Sequence, residues 1–240
     1  MSNSNLKSQL IDLLNLQKLS VGILSANWLA LSEALCVLQK NKCEVLHFDV
    51  ADGQFCPLFT VGAGAIANFP SHFFKDVHLM VKDQLNVAKK AVSQGANLVT
   101  LQIEQQQDLM KTLDWLAEQN NVFQDKVYPV LTGLSICPET PIVGCVEYID
   151  KVDVFQVLTL DPRTGKKYEK EFIKHRIDEL CNLLSERRMT KLINVDGSMN
   201  LALAQYFSQN TDINWIISGS ALFNGALAES LQEWKTANIF

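Results

Sequence analysis

The residues best placed to do chemistry are two histidines and two aspartates. Segment 45–53 reads Val-Leu-His-Phe-Asp-Val-Ala-Asp-Gly, and 76–80 reads Asp-Val-His-Leu-Met. Successive side chains of an extended strand point to opposite faces. His47 and Asp49 therefore share one face, while Leu46, Phe48 and Val50 share the other. Val77 and Leu79 flank His78, and Ile193 and Val195 bracket Asn194 and Asp196, so alternation turns His78 and Asp196 the same way. Together, His47, Asp49, His78 and Asp196 would offer two imidazole nitrogens and two carboxylate oxygens to one divalent ion. Ligand type admits zinc (the first choice), iron(II), manganese or cobalt. The alternative is four separate structural residues, each hydrogen-bonded on its own. A metal that polarises a carbonyl and the neighbouring hydroxyl stabilises the enediolate left when the proton between them is removed. Carboxylates on opposite sides of that flat species take a proton from one face and return one to the other, inverting one carbon. Metal-bound imidazoles are poor bases, which makes Asp49 and Asp196 the acid–base pair.

Elements must position these groups. Runs rich in apolar and β-branched residues predict strands at 19–25, 44–50, 76–81, 97–103, 128–136, 152–160, 191–196 and 214–218. Between them, apolar spacing predicts helices at 28–38, 85–93, 108–118, 171–188, 201–207 and 221–234, with Asn27 as an N-cap. This alternation over 240 residues, with no break in composition, predicts a single domain spanning 1–240. Its class is α/β, a (β/α)8 TIM barrel, with a short extra N-terminal helix at 10–17 closing the bottom. An open doubly wound sheet is the rival, but no Gly-x-Gly-x-x-Gly follows the first strand. Barrel active sites lie at the carboxyl ends of the strands. Ser25, Gln102 and Asp161 fall there beside the four ligand candidates. So do Gly197-Ser198 and Gly219-Ser220, small residues that let backbone N–H groups approach a phosphate. Ordinary strand-to-helix turns have the same composition, and both readings stand for these pairs.

Composition narrows the partners. The net charge is −5, and the short basic pairs Lys166-Lys167 and Arg187-Arg188 are flanked by acids, which argues against nucleic acid. Six cysteines without a Cys-x-x-Cys pair give neither a zinc ribbon nor a disulfide framework. Met1 to Gln9 is polar and no apolar run reaches the roughly 18 residues of a span, so the expectation is a cytoplasmic protein without a membrane partner.

At these residues the chain resembles the ribulose-phosphate 3-epimerases, within the ketose-phosphate 3-epimerases. Gly22-Ile-Leu-Ser-Ala26 resembles that family's Ser-x-Leu-Ser-Ala, and His47-Phe-Asp-Val-Ala-Asp-Gly-Gln-Phe55 its His-x-Asp-Val-Met-Asp-Gly-x-Phe. Asp76-Val-His-Leu-Met-Val81 matches without change, and Gly219-Ser-Ala-Leu-Phe223 aligns with the last strand. The resemblance implies a metal-dependent isomerase of carbohydrate metabolism that inverts carbon 3 of a ketose phosphate. D-ribulose 5-phosphate and D-xylulose 5-phosphate of the pentose phosphates are the default pair, and a homo-oligomer is implied. By the same implication His47, Asp49, His78 and Asp196 hold the metal, Ser25 hydrogen-bonds the sugar phosphate, and Met80 packs near the reacting carbons. The chain departs from the pattern at Ala51, Leu158, Gln102 (usually histidine) and Cys137 (usually asparagine). The family's glycine-rich Asn-Pro-Gly-Phe-Gly-Gly-Gln loop reads Asp161-Pro-Arg-Thr-Gly-Lys-Lys167, keeping Gly165 as a substrate contact and offering Lys166 or Lys167 as a point charge. Asp196-Gly197-Ser198, Asn200 and Phe223-Asn224 resemble the allulose-6-phosphate 3-epimerases. The alternatives are thus D-allulose 6-phosphate or another sugar phosphate as substrate, or a drifted barrel that binds one without turning it over.

Overall fold

The computed structural model describes residues 3–240. Eight parallel strands close into a barrel, each strand a buried apolar or β-branched run of the kind the sequence marks out. In chain order they are β1 Leu19–Gly22, β2 Val45–Ala51, β3 Phe74–Met80 and β4 Leu98–Gln102. An antiparallel hairpin, β5 Asn120–Phe123 and β6 Lys126–Pro129, then interrupts the series. The barrel resumes with β7 Leu131–Ile136, β8 Val154–Leu158, β9 Leu192–Asp196 and β10 Trp215–Ser218. Strand β1 closes it, pairing Gly22 with His47 of β2 and Leu19 with Ile216 of β10.

Helix α1 Asn3–Asn15 closes the bottom, and the others surround the barrel: α2 Leu31–Lys40, α3 Gln84–Ser93, α4 Leu109–Ala117, α5 Lys170–Leu184, α6 Leu201–Asn210, α7 Ser220–Phe223 and α8 Leu227–Thr236. The expected terminal helix begins earlier than residue 10 and is seated by Leu10 and Leu14. These two side chains pack on Val45, Phe74, Leu98, Leu131, Val154, Leu192, Trp215 and Ile217, forming an apolar floor inside the barrel. The outward residues Leu46, Phe48 and Val50 of β2 join the main core between strands and helices. That leaves His47 and Asp49 facing inward, as alternation requires.

Crossovers β2–β3 and β7–β8, where the sequence marks no helix, carry 3-10 turns at Ala63–Asn68 and Ile142–Tyr148. Three expectations about elements are corrected. The run 128–136 is two strands, because β6 turns into β7 at Val130. The long helix at 171–188 ends at Leu184, where Ser185 takes φ +48, and continues as a 3-10 turn. The closing helix is broken between Phe223 and Leu227. Asn27 does act as a cap, but of a 3-10 turn at Trp28–Ala30, accepting from the Leu29 N–H at 3.0 Å.

Candidate active site at the carboxyl end of the barrel

Strands β2 and β3 are neighbours, β9 is separated from β2 by β1 and β10, and the inward side chains of all three meet inside the barrel. His47, Asp49, His78 and Asp196 each present one ligand atom, and these atoms all lie within 4.8 Å of one another. His47 Nε2 is 3.3 Å from Asp49 Oδ1 and 3.8 Å from Asp196 Oδ2. His78 Nδ1 is 3.2 Å from Asp49 Oδ1 and 4.0 Å from Asp196 Oδ2. The ring atoms that face the centre are therefore Nε2 of His47 and Nδ1 of His78. Both histidines are 1% exposed, whereas 40% of the Asp49 side chain remains open to the cleft.

Three partners fix this cluster from behind. Asp76, fully buried on β3, receives His47 Nδ1 at 2.9 Å and the Ser20 hydroxyl at 3.1 Å. Gln156 on β8 donates its amide to Asp196 Oδ2 at 3.0 Å and lies 3.1 Å from His78 Nδ1. Gln102 on β4 places its amide nitrogen 2.8 Å from His78 Nε2. Sequence reasoning assigned no role to Asp76 or Gln156, although alternation puts Asp76 on the face of His78 and Gln156 on the face of Leu158. It noted Gln102 only at a strand end and as a departure from a resembled pattern.

Charge follows from this packing. Burial works against a charged His47 ring, but the Asp76 and Asp49 carboxylates outweigh it and hold its pKa well above the usual histidine value. Asp49 is opposed by desolvation too, yet His47 and His78 keep its carboxyl well below the ordinary range. Asp196 goes the other way, pushed up to about 6 by burial and then by the nearby Asp49 charge. Carboxylates that converge on two neutral-capable imidazoles, each imidazole oriented from behind, make a donor set that fits a divalent cation.

The cleft above the cluster is lined by Ser25, Met80, Gly197, Ser198, Gly219 and Ser220 among the expected substrate contacts, with Leu24, Leu58, Leu158, Leu160 and Pro162 added. Ser25 sits on the 3-10 turn after β1 rather than on the strand, and a Cβ at Gly219 would come within 2.7 Å of its hydroxyl. Gly197 and Ser198 take φ of +116 and +45, and a Cβ on Gly197 would meet Thr159 Oγ1 at 2.6 Å. Positive φ at two consecutive positions makes a tight turn after β9, which a glycine and a small residue permit. Gly165 does not line the cleft. Its loop is a closed turn in which the N–H groups of Asp161, Arg163, Thr164, Gly165 and Lys166 all bond within residues 161–166. Lys166 reaches Glu139 at 2.7 Å and does not line the cleft, whereas Lys167 lines a neighbouring pocket together with Gly197 and Ser198.

A parallel eight-stranded barrel with a histidine–carboxylate cluster at its carboxyl end defines an α/β-barrel enzyme class. Within that class, the model of the ribulose-phosphate 3-epimerase family matches residues 18–223, and the chain belongs to that family of epimerases. The putative epimerase LsrE of Salmonella typhi is 40% identical over 219 residues, covering 90% of this chain and 85% of that protein. The ribulose-phosphate 3-epimerase of Treponema pallidum is 30% identical, covering 89% and 94%. Among solved structures, KGPDC from Streptococcus mutans superposes with a TM-score of 0.60 at 15% identity, over 92% of this chain and 96% of that one, a likeness of fold. Among the described residues, no helix is long and apolar enough to cross a membrane.

Proposed function

We propose that this epimerase inverts carbon 3 of a ketose phosphate, with D-ribulose 5-phosphate and D-xylulose 5-phosphate as the first pair to test. The observation that carries the reading is that Asp49 and Asp196 arise from separate strands and reach the same His47 nitrogen, at 3.3 and 3.8 Å. In this reading His47, Asp49, His78 and Asp196 hold one divalent ion, zinc first. That ion would supply electrophilic stabilisation to the carbonyl oxygen and its neighbouring hydroxyl. One aspartate takes the carbon-3 proton while the other, on the opposite face, delivers a proton to the enediolate. The contrasting environments of the two carboxyls, one held low and one pushed up to about 6, suit a base and an acid in the same site. Asp76 and Gln156 keep the donors aimed, Ser25 binds the sugar, and Met80 gives the flat intermediate a polarizable wall. The phosphate is assigned to Gly197, Ser198, Gly219 and Ser220.

A second substrate, a six-carbon ketose phosphate such as D-allulose 6-phosphate, is favoured by one observation. Gly197 and Ser198, part of the stretch that resembles the allulose-6-phosphate 3-epimerases, line the cleft beside the cluster. Deuterium exchange at carbon 3 in heavy water, run over a panel of five- and six-carbon ketose phosphates, tests both readings. Exchange with inversion of D-ribulose 5-phosphate is expected. Exchange confined to six-carbon substrates transfers the assignment to the second reading, and exchange with none of them overturns the mechanism.

A further inference from the structure

Gln102 is fully buried at the end of β4, and its surroundings are unusually specific for a neutral side chain. Its backbone is gripped by a second buried amide, Gln84 at the start of α3. Gln84 Oε1 accepts from the Gln102 N–H at 2.6 Å, and its Nε2 donates to the Gln102 carbonyl at 3.2 Å. That grip fixes where the Gln102 side chain begins. The side chain then reaches His78 Nε2 at 2.8 Å, while its Oε1 lies 3.9 Å from the Cys137 thiol, which donates to it. His78 Nε2 is thereby occupied, and Nδ1 is the nitrogen that faces Asp49 and Asp196.

We propose that Gln102, anchored by Gln84, is a positioning residue that selects Nδ1 of His78 as the metal-binding atom; the inference rests on the metal reading above. An imidazole that ligates through Nδ1 must carry its proton on Nε2 and needs an acceptor there. The amide of Gln102 has both a donor and an acceptor end. With its nitrogen toward His78 it serves the metal-free ring, in which Nδ1–H points at Asp49. Turned about its last bond, it presents Oε1 to Nε2–H and its N–H to the Cys137 sulfur. A carboxylate backs the other imidazole, Asp76 on His47 Nδ1, so the two ligands are aimed by chemically different partners. One is held by a fixed acceptor, and the other by an amide whose acceptor end takes up Nε2–H and leaves Nδ1 free for the metal.

The test is zinc titration of the chelator-stripped full chain against a competing indicator, with the visible spectrum of the cobalt-substituted protein as a second readout. Gln102→Met keeps the length and loses the hydrogen bond. Its zinc affinity should fall by a factor of about 10 to 100, with an altered cobalt spectrum. Gln102→Glu supplies a fixed acceptor and should bind zinc as tightly as the parent or tighter. A folded Gln102→Met with parental affinity and spectrum overturns the inference while leaving the metal reading intact. Where Gln102→Met fails to fold, Gln102→Glu decides, and a tenfold or larger loss of affinity in it overturns the inference. A parent chain that takes up no zinc overturns the metal reading and this inference together.

Discussion

Asp76 acts through His47, since it accepts from the ring nitrogen that faces away from the cluster while the other nitrogen faces Asp49 and Asp196. Ser20 holds the same carboxylate oxygen, so the imidazole is aimed by a buried pair rather than by its own rotamer alone. Asp76→Asn keeps the volume and removes the charge. In the proposed site it should weaken zinc by a factor of about 10 to 100, read by competition titration, with secondary structure unchanged by circular dichroism. Asp49→Asn and Asp196→Asn test a different role: each should lower turnover by about 100- to 10,000-fold, and either one retaining parental kcat removes that residue from the acid–base pair. The four cluster residues could be read from sequence because a period of two fixes which face a strand residue takes, and all four lie on strands with a plainly apolar outer face. Asp76 escaped because it stands two residues before His78 and reads as part of the same motif. Gln102 and Gln156 escaped for a physical reason. An amide's partner is set by side-chain torsions and by which strand lies next to it, and neither is written in a residue's own neighbourhood.

The loop between β8 and α5 shows what an element can hold by itself. Arg163 clasps Asp161 through Nε at 2.9 Å and Nη2 at 2.7 Å, and its own backbone N–H adds a third bond to the carboxylate at 2.9 Å. Asp161 is accordingly held below the usual carboxylate range, chiefly by the Arg163 side chain. A lowered pKa means the clasp is fully present at neutral pH and is lost only in acid, as the pH falls below the ordinary aspartate value of about 3.9 toward the lowered one. Asp161→Ala removes it at every pH. Trypsin at pH 8 should then cut at Arg163, Lys166 or Lys167 several times faster than in the parent, with zinc uptake unchanged; equal cleavage rates would show that the turn does not need its clasp. Elements of this kind mark where sequence reading stopped. The barrel strands were recoverable because continuous burial selects apolar, β-branched runs. The β5–β6 hairpin was not, because its turn residues Gln124 and Asp125 take φ of +47 and +60 without the Asn-Gly or Asp-Gly pair that signals such a turn. The two 3-10 crossovers were hidden for a related reason, as short apolar spacing does not distinguish one tight turn from a helix.

At the scale of the whole molecule the barrel has an apolar lower end and a polar upper one, and the two should contribute to stability separately. Phe74 in the floor and His78 in the cluster are four residues apart on β3, about 13 Å along an extended strand. Leu14 of α1 is 2% exposed in the floor, and Leu14→Ala should cost about 2–5 kcal/mol, from lost burial plus the cavity left behind. At the other end, a bound ion would tie β2, β3 and β9 together, and an ion present at about 1,000 times its Kd adds about 4 kcal/mol. For a chain of this size that amounts to a Tm change on the order of 10 °C. Sites this far apart without shared partners add within about 0.5 kcal/mol. Thermal melts of the parent and of Leu14→Ala, each with zinc and with a chelator, should therefore show the same chelator-induced loss of stability in both proteins. A loss that shrinks in Leu14→Ala would mean that the two ends are coupled and metal binding is weakened, with the helix plug helping to hold the ligands in place.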